Sequence, residues 1–219
     1  MRRVYLPLFA AFLCLPLTPA CSKQKDSDTT RLRPVTLRLQ WLLQTQFAGY
    51  YVAREKGYYR EAGLDVRIEE GAYGKNNLAT VSEGIEEFGT KWIFDLMPQA
   101  GRVVILANIM KDNGLLFVSK KHNGIRSVHD FVGRRVSVWF TGNEYQLFAM
   151  LDSAGLRRES VSIVAQHFDL NQFVRGEVDV AAAMSYNELL QLEKLGYGVH
   201  TLSVINPASS GAAFPGDSI

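Results

Sequence analysis

The chain has 219 residues, of which 47% are hydrophobic and 21% charged, so it is long enough to bury a core as one domain or as two modest lobes. Its formal net charge is +2, and its lysines and arginines are scattered along the sequence. A nucleic-acid-binding protein usually concentrates its positive charge, and we therefore exclude nucleic acid as a partner.

Residues 1–20 predict a signal peptide. The start, MRR, is positively charged, and the apolar run VYLPLFAAFLCLPL is too short and too interrupted by proline for a membrane span. Small residues precede Cys21, as in bacterial lipoprotein signals in which the cysteine is acylated. Thr18 and Pro19 depart from that pattern, so plain cleavage is the alternative. In both cases the mature protein is expected in the periplasm or cell envelope.

The segment after the signal peptide predicts a tether. Residues 21–34 are polar and without hydrophobic periodicity, as expected for a lipid-anchor site followed by a flexible linker. No cysteine follows Cys21, which excludes an internal disulfide and a thiolate metal site. The four histidines lack metal-ligand spacing, and we predict neither a metal nor another cofactor.

From Val35 onward, strand and helix patterns alternate. The predicted strands are VTLRLQW, DVRIEE, EEFGTKWIF, GRVVILANIM, GLLFVSKK, RRVSVW, VSIVAQ, VDVAAAM and VHTLSVI. The predicted helices are QFAGYYVAREKG, YYREAGL, NLATVSEGI, SVHDFVG, NEYQLFAMLDSAG, LNQFVRGE and SYNELLQLEKLG. This alternation predicts an α/β fold with parallel-rich sheets covered on both faces.

Two such series meet at LFVSKK, and they predict two lobes joined by a hinge. The predicted boundaries are 35–117 for lobe 1 and 118–204 for lobe 2. Residues 205–219 are predicted to return toward lobe 1.

Aromatic residues stand at the predicted carboxyl ends of strands. Trp41, Trp92 and Trp139 each end a strand, and Tyr186 follows VDVAAAM. In open parallel sheets the loops at these ends line the ligand crevice. Core packing would explain any one ring, but together the four favour a site that stacks a planar ligand.

Two predicted helix starts pair an amide with a carboxylate. TGNEYQLF places Asn143 at an N-cap and Glu144 in the first turn, and MSYNELL repeats the pair with Asn187 and Glu188. Helix capping alone would explain both. A carboxylate there would repel a phosphate, whereas a carboxylate and an amide suit the amino group and ring nitrogens of an aminopyrimidine.

Several stretches resemble the bacterial substrate-binding proteins of the NMT1/THI5-like family. They are RLQWLLQTQFAGYYVAREKGYYREAGLDVRI, GNEYQLFAML, FDLNQFVRGEVDVAAAMSYNE and LGYG, within Val35 to Ile205. The resemblance implies a periplasmic-binding-protein type II-like fold whose lobes close on a ligand, and a monomeric receptor for the permease and ATPase of an ABC importer. The best-known branch binds a formylated aminopyrimidine that is salvaged for thiamine synthesis.

The resemblance and the strand-end pattern together predict ligand-binding residues from both lobes. They are Trp41, Gln46, Phe47, Trp92, Trp139, Asn143, Glu144, Tyr186 and Glu188. We expect Tyr186 and a tryptophan to stack the ring, and Glu188 or Glu144 to bind its amino group. Lys91 departs from the family pattern, so a carboxylate- or phosphate-bearing ligand is an alternative to a solvated lysine.

The predicted function is capture of a thiamine pyrimidine precursor of the formylaminopyrimidine or hydroxymethylpyrimidine type. The alternatives are a receptor for riboflavin or another heteroaromatic, and an exported sensor that presents its ligand to a membrane kinase. An enzyme like the eukaryotic pyrimidine synthases of this fold is disfavoured, because no cysteine-rich segment or catalytic motif is present and no catalytic residue is predicted.

Relatives continue beyond AFPGDSI, and the resemblance therefore implies a C-terminally truncated chain. Lobe 1 is then expected to be incomplete and to expose apolar surface. A working minimal receptor is the alternative.

Overall fold

This computed structural model describes residues 31–72, 77–96 and 101–219. The predicted signal peptide, the acylation site Cys21 and most of the predicted tether lie outside these residues. Within the described ranges, every helix is too short or too polar to cross a bilayer.

The first sheet is parallel and is built around the first strand. Its members are β1 (Arg33–Arg38), β2 (Leu64–Glu69) and β3 (Phe88–Gly89), with β1 in the centre. Val35 and Leu37 alternate with more exposed neighbours, so one face of β1 is buried. Leu37 and Leu39 pack with Phe47 in a small core beneath the helices that follow.

Short helices connect these strands. They are α1 (Ala48–Glu55) and α2 (Tyr58–Glu61) between β1 and β2, α3 (Asn77–Ser82) before β3, and α4 (Ile93–Leu96) after β4 (Lys91–Trp92). A 3-10 turn, Thr45–Phe47, precedes α1. The sequence predicts EEFGTKWIF as a strand that enters a loop, but the chain forms two short strands, β3 and β4, and enters α4 at Ile93.

The second sheet has five strands in the order β7-β6-β8-β5-β9. They are β5 (Leu115–Lys120), β6 (Arg135–Val138), β7 (Ser162–Ala165), β8 (Val180–Met184) and β9 (Leu202–Ile205). The strands β7, β6 and β8 are parallel, whereas β5 runs antiparallel to β8 and β9. The predicted lobe boundary after Phe117 therefore falls inside β5, because all of β5 belongs to this sheet.

Helices cover both faces of the second sheet. They are α5 (Asn143–Ser153), α6 (Asn171–Val174) and α7 (Glu188–Lys194). Every residue of β8 is buried, and its side chains alternate between two cores. Ala182 packs in the core that contains Leu147 of α5, and Ala183 packs in the core that contains Phe173 of α6.

Two segments that precede β5 and end the described chain run antiparallel to each other. The amide of Ile109 donates to Asp217 O at 2.7 Å, and the amide of Gly216 donates to Met110 O at 2.9 Å. The strand β10 (Asp217–Ser218) then pairs antiparallel with β4. Residues near the end of the chain are thereby brought beside β4, although they lie far from it in the sequence.

Gln146 of α5 holds both of these segments. Its Oε1 accepts a hydrogen bond from Asn113 Nδ2 at 2.6 Å, and its Nε2 donates to Ala212 O at 2.7 Å. Gln146 is buried, so breaking either bond would leave a buried polar atom without a partner. The helix α5 is therefore hydrogen-bonded to both segments.

The sequence prediction of a buried strand for GRVVILANIM is wrong. Residues 101 and 102 form a turn, and the β contacts of residues 103–110 are single bridges, among them Asn108 with Ser218. Val104 is 81% exposed and Leu106 is 61% exposed. The apolar run predicts burial, but the backbone of residues 106–110 pairs with residues 216–219 at the surface, and this pairing leaves Val104 and Leu106 exposed.

The α/β class predicted from the alternating pattern is confirmed, as is the cap of the helix at SVHDFVG. Ser127 and Asp130 form a reciprocal capping box around the 3-10 helix Val128–Phe131. The prediction that Asn143 is an N-cap is wrong. Gly142 occupies the cap of α5, and Asn143 is its first helical residue.

Candidate functional site

A cavity of about 70 Å³ lies where loops after the strands of both sheets meet. Seven of the nine predicted ligand-binding residues line it. These are Trp41, Gln46, Trp92, Trp139, Asn143, Tyr186 and Glu188. The convergence follows from parallel strand order, which brings successive carboxyl ends to one edge of a sheet.

The structure places Phe47 and Glu144 away from the cavity lining. Phe47 is fully buried in the core with Leu37 and Leu39, because an aromatic at the start of an amphipathic helix turns toward the sheet that it covers. Glu144 folds back on its own helix start, where its Oε2 accepts a hydrogen bond from Gly142 N at 2.8 Å. The capping explanation of Glu144 therefore agrees with its position.

Glu188 is a buried carboxylate held by the start of its own helix. It is 5% exposed, and its two oxygens accept hydrogen bonds from Met184 N at 3.0 Å and from Asn187 Nδ2 at 2.7 Å. Burial raises the pKa of Glu188, while these hydrogen bonds oppose the rise. Each oxygen retains a lone pair with which it can accept a hydrogen bond from a ligand.

Tyr186 stands beside Glu188, and its ring rests against a glycine. A Cβ at Gly114, whose φ is +74°, would come within 3.0 Å of Tyr186 Cε1, so the residue at 114 must be a glycine for the ring to lie there. Burial raises the pKa of Tyr186, with smaller contributions from Asp217 and Glu188, and the phenol therefore stays protonated. It offers both a ring face and a hydroxyl group.

Asn143 brings an amide with a free acceptor into the cavity. The residue is 2% exposed, and its Oδ1 accepts no hydrogen bond from the described residues. Such a buried carbonyl normally has a partner, since leaving it without one costs about 1–3 kcal/mol. Next to it, Trp139 is fixed by a hydrogen bond from its Nε1 to His167 O at 3.1 Å.

Six further residues complete the lining, and the sequence-based site did not include them. They are Gln40, Gln44, Ala72, Lys91, Thr141 and Met184. Strand alternation would place Gln40 on the face opposite the core, but β1 ends at Arg38 and the alternation stops there. The position of Trp41 at a strand end could have indicated that the nearby residues Gln40 and Gln44 also line the cavity.

The two glutamines of this group are held differently. Gln44 uses both ends of its amide within the protein, because its Nε2 donates to Gln46 Oε1 at 2.9 Å and its Oε1 accepts from Asn187 Nδ2 at 2.8 Å. Gln40 donates from its Nε2 to Asp217 Oδ1, and its Oε1 accepts nothing from the described residues.

Contacts between loops of the two sheets border the cavity. Thr45 Oγ1 donates to Tyr186 O at 2.8 Å, and the ring centroids of Trp41 and Phe168 are 5.4 Å apart. With the Gln44 and Asn187 hydrogen bond, these contacts join the loop after β1 to the loops after β7 and β8. The cavity therefore depends on contacts between loops of the first and the second sheet.

The charge of Lys91 is compensated. Its Nζ lies 2.9 Å from Asp95 Oδ2 one helical turn later, and burial raises the pKa of Asp95 while Lys91 opposes the rise. A paired lysine attracts a phosphate less strongly than a lone one, so the alternative of an anionic ligand gains no support from Lys91.

The lining suits the binding of a small planar molecule. It combines four aromatic rings with buried amides and one buried carboxylate, and none of its residues is a serine, cysteine or histidine. Among the described residues, no group of three histidine, cysteine, aspartate or glutamate side chains is arranged to hold a metal ion. Stacking and hydrogen bonding are the interactions that this arrangement offers.

Comparison with known proteins places these features in context. The family model described as NMT1/THI5 like matches residues 44–219. The chain is 27% identical over 212 residues to the riboflavin-binding protein RibY of Chloroflexus aurantiacus, covering 90% of this chain and 60% of that protein. It is 25% identical over 213 residues to the formylaminopyrimidine-binding protein of Halalkalibacterium halodurans, covering 93% of this chain and 63% of that protein.

The chain thus spans about 60% of the length of these curated relatives. Among solved structures, it resembles a periplasmic sulfonate-binding protein, SsuA of Methylobacillus flagellatus, with a TM-score of 0.61 and 17% identity over 86% of this chain and 61% of that one. At this level of identity the likeness concerns the fold, and it confirms the predicted periplasmic-binding-protein type II-like architecture.

Proposed function

This chain belongs to the NMT1/THI5-like family, and on that premise we propose that it is a solute-binding receptor of an ABC importer. Its ligand is a small planar heterocycle, a thiamine pyrimidine precursor of the formylaminopyrimidine or hydroxymethylpyrimidine type. Riboflavin or another heteroaromatic is the second candidate, because a riboflavin-binding protein is among the similar proteins.

One observation carries the proposal. Residues from strand ends throughout the chain, from Trp41 to Glu188, line a single cavity that contains four aromatic rings and a buried carboxylate. An aromatic pair and a carboxylate are what a planar ring with an amino group requires. We assign stacking to Tyr186 with a tryptophan, and recognition of the amino group to Glu188.

The small size of the cavity favours the smaller of the two candidate ligands. Its volume is about 70 Å³, and fused tricyclic rings such as that of riboflavin would require the lining to move apart. A pyrimidine with small substituents fits with less rearrangement. Size therefore favours the pyrimidine over the flavin.

Ligand capture would act through the contacts between the two sheets. Thr45 donates to the backbone of Tyr186, so a ligand stacked on Tyr186 stabilises the arrangement in which the loops meet. The permease would recognise this closed form. An exported sensor would use the same closure, and a neighbouring kinase gene in place of permease and ATPase genes would favour that role.

The cellular setting is part of the same proposal. We infer export by the predicted signal peptide, attachment through acylated Cys21, and action as a monomer. A binding role is favoured over catalysis because two of the similar proteins are named as binding proteins.

The test is calorimetric titration of the chain with formylaminopyrimidine, hydroxymethylpyrimidine, thiamine and riboflavin. We expect saturable binding of a pyrimidine, and Tyr186→Ala should weaken it by about fivefold or more through loss of stacking. Tyr58→Ala is the matched control, since Tyr58 is 53% exposed on α2 and does not line the cavity. A folded chain that binds none of the four compounds would refute the receptor role, and tighter binding of riboflavin would select the second candidate.

A further inference from the structure

Asp217 lies behind the cavity, outside the residues that sequence analysis selected. It belongs to β10, it is 2% exposed, and its cross-strand partner on β4 is Trp92, which lines the cavity. Its carboxylate accepts the hydrogen bond from Gln40 Nε2. A buried carboxylate is costly unless it is well bonded, so its presence beside a binding cavity calls for a reason.

The carboxylate determines which way the Gln40 amide points. An ionised carboxylate only accepts hydrogen bonds, so the amide must turn its NH₂ group toward Asp217. The carbonyl oxygen, Gln40 Oε1, then remains for the cavity, where it accepts nothing from the described residues. The backbone of Gln40 is also fixed, because its N–H donates to Thr90 Oγ1 at 2.9 Å.

We propose that Asp217 and Gln40 determine which ligands the cavity accepts. Asp217 is a positioning residue that holds the Gln40 carbonyl toward the ligand, and the cavity thereby selects a heterocycle edge that donates hydrogen bonds. An exocyclic amino group is accepted at this edge, and a ring carbonyl is rejected. This inference rests on the proposed receptor function and specifies its ligand class.

Two other groups in the lining are hydrogen-bond acceptors, like Gln40 Oε1. Asn143 Oδ1 is a buried acceptor without a partner among the described residues, and Glu188 is a carboxylate that accepts from the protein with both oxygens. The cation of the lining, Lys91, is paired with Asp95. Asn143 Oδ1 and Glu188 thus add to Gln40 Oε1 as acceptors with which the lining can bind ligand N–H groups.

The carboxylate of Asp217 fixes the orientation of the Gln40 amide more strictly than the amide of an asparagine at this position would. Asparagine at 217 has both a donor and an acceptor, so the Gln40 amide would be free to reverse and present its NH₂ group to the ligand. Burial raises the pKa of Asp217 to about 6, with the Gln40 and Trp92 hydrogen bonds and the charge of Lys91 opposing the rise. The residue is therefore mostly ionised at pH 7.5.

The experiment compares two probes on the full chain by calorimetry at pH 7.5. The probes are 4-amino-5-hydroxymethyl-2-methylpyrimidine and its 4-oxo counterpart, which exchanges the amino donor for a carbonyl. The variants are Gln40→Met, which removes the acceptor, and Asp217→Asn, which removes the constraint on its orientation. Gln44→Met is the matched control, because Gln44 lines the same cavity but uses both ends of its amide within the protein.

We expect the native chain to prefer the amino probe by about tenfold or more, and both Gln40→Met and Asp217→Asn to reduce that preference by about fivefold or more. Gln44→Met should change the affinity for both probes alike and leave their ratio within about twofold. A merely structural role of Asp217 would lower both affinities together, so the ratio is the decisive quantity.

Each failure has a distinct meaning. If the native chain binds neither probe, the receptor function fails and this inference fails with it. If it binds both equally, or if Gln40→Met keeps the full preference, the receptor function stands and the inference is overturned. Circular dichroism checks that each variant is folded, and if Asp217→Asn does not fold, Gln40→Met decides the question alone.

Discussion

Replacing Asp217 with asparagine should stabilise the protein at neutral pH and have little such effect in acid. Burial raises the pKa of Asp217 from its ordinary value of 3.8 to about 6, so the folded state holds this proton more tightly than the unfolded chain does. At pH values below 3.8 the carboxyl is protonated in both states. As the pH rises from 3.8 through 6, only the unfolded chain gains by releasing the proton, and the native protein loses stability.

The size of this loss follows from the same values. At 1.36 kcal/mol per pKa unit, a rise from 3.8 to about 6 corresponds to a loss of about 3 kcal/mol, complete somewhat above pH 6. Asparagine does not titrate and keeps an oxygen that can accept the Gln40 hydrogen bond. The free energy of unfolding of Asp217→Asn, relative to the native protein, should therefore increase by about 2.5 kcal/mol between pH 4 and pH 7.5, because about 0.5 kcal/mol of the loss is already present at pH 4.

Urea unfolding followed by circular dichroism at intervals between pH 4 and pH 7.5 measures this difference. Asp65→Asn, at an exposed position of β2, controls for the loss of one negative charge from the surface. A stability difference that stays constant with pH, or that decreases as the pH rises, would refute the reasoning. Asp217→Asn is thus expected to raise the stability of the protein but to lower its ligand selectivity. A general loss of structure would not produce both effects.

Three other substitutions test the surroundings of the site. Phe47→Ala should destabilise the protein by about 3–5 kcal/mol in urea unfolding, because it empties a fully buried core position that does not line the cavity. Gly71→Ala should weaken pyrimidine binding in calorimetry by about tenfold or more, since its Cβ would lie 2.5 Å from Leu39 O and would displace the turn that carries Gln40. Asn187→Ala should lower the affinity for the amino probe by about three- to tenfold in calorimetry, because it removes the hydrogen bond to Gln44 that joins the two loops and the hydrogen bond to Glu188.

Local patterns predicted most of the second sheet. The runs RRVSVW and VDVAAAM are short and apolar and lie between helices with clear stops, and they form β6 and β8 as expected. The aromatic residues at predicted strand ends also supplied four of the thirteen residues that line the cavity. These features succeed because strand and helix periodicity is a property of adjacent residues, which the sequence displays directly.

The prediction failed where burial depends on distant partners. The run VVILANIM is as apolar as the core strands, but Val104 and Leu106 are exposed because the segment finds its hydrogen-bonding partners on one side, along residues 216–219. Periodicity cannot supply that information. Phe47 illustrates the converse, since its place in the motif QFAGYYVA predicted a cavity residue but its side chain packs in the core.

The pairing of Gln40 with Asp217 was also beyond the reach of local patterns. The two residues are 177 positions apart, and they meet because the two-residue strands β4 and β10 pair. Strands this short leave almost no periodic signal. An acidic residue in a sequence such as PGDSI gives no indication of burial by itself, because aspartate near glycine and proline is typical of an exposed turn.

The chain contains three tryptophans, and all of them line the cavity. Indole emission depends on local polarity and on nearby quenching groups, so the tryptophan fluorescence of this protein reports on the surroundings of the cavity. Occupancy of the cavity should therefore change the emission spectrum without any attached dye. The same arrangement would make the unmodified protein an optical reporter of the ligand that we propose.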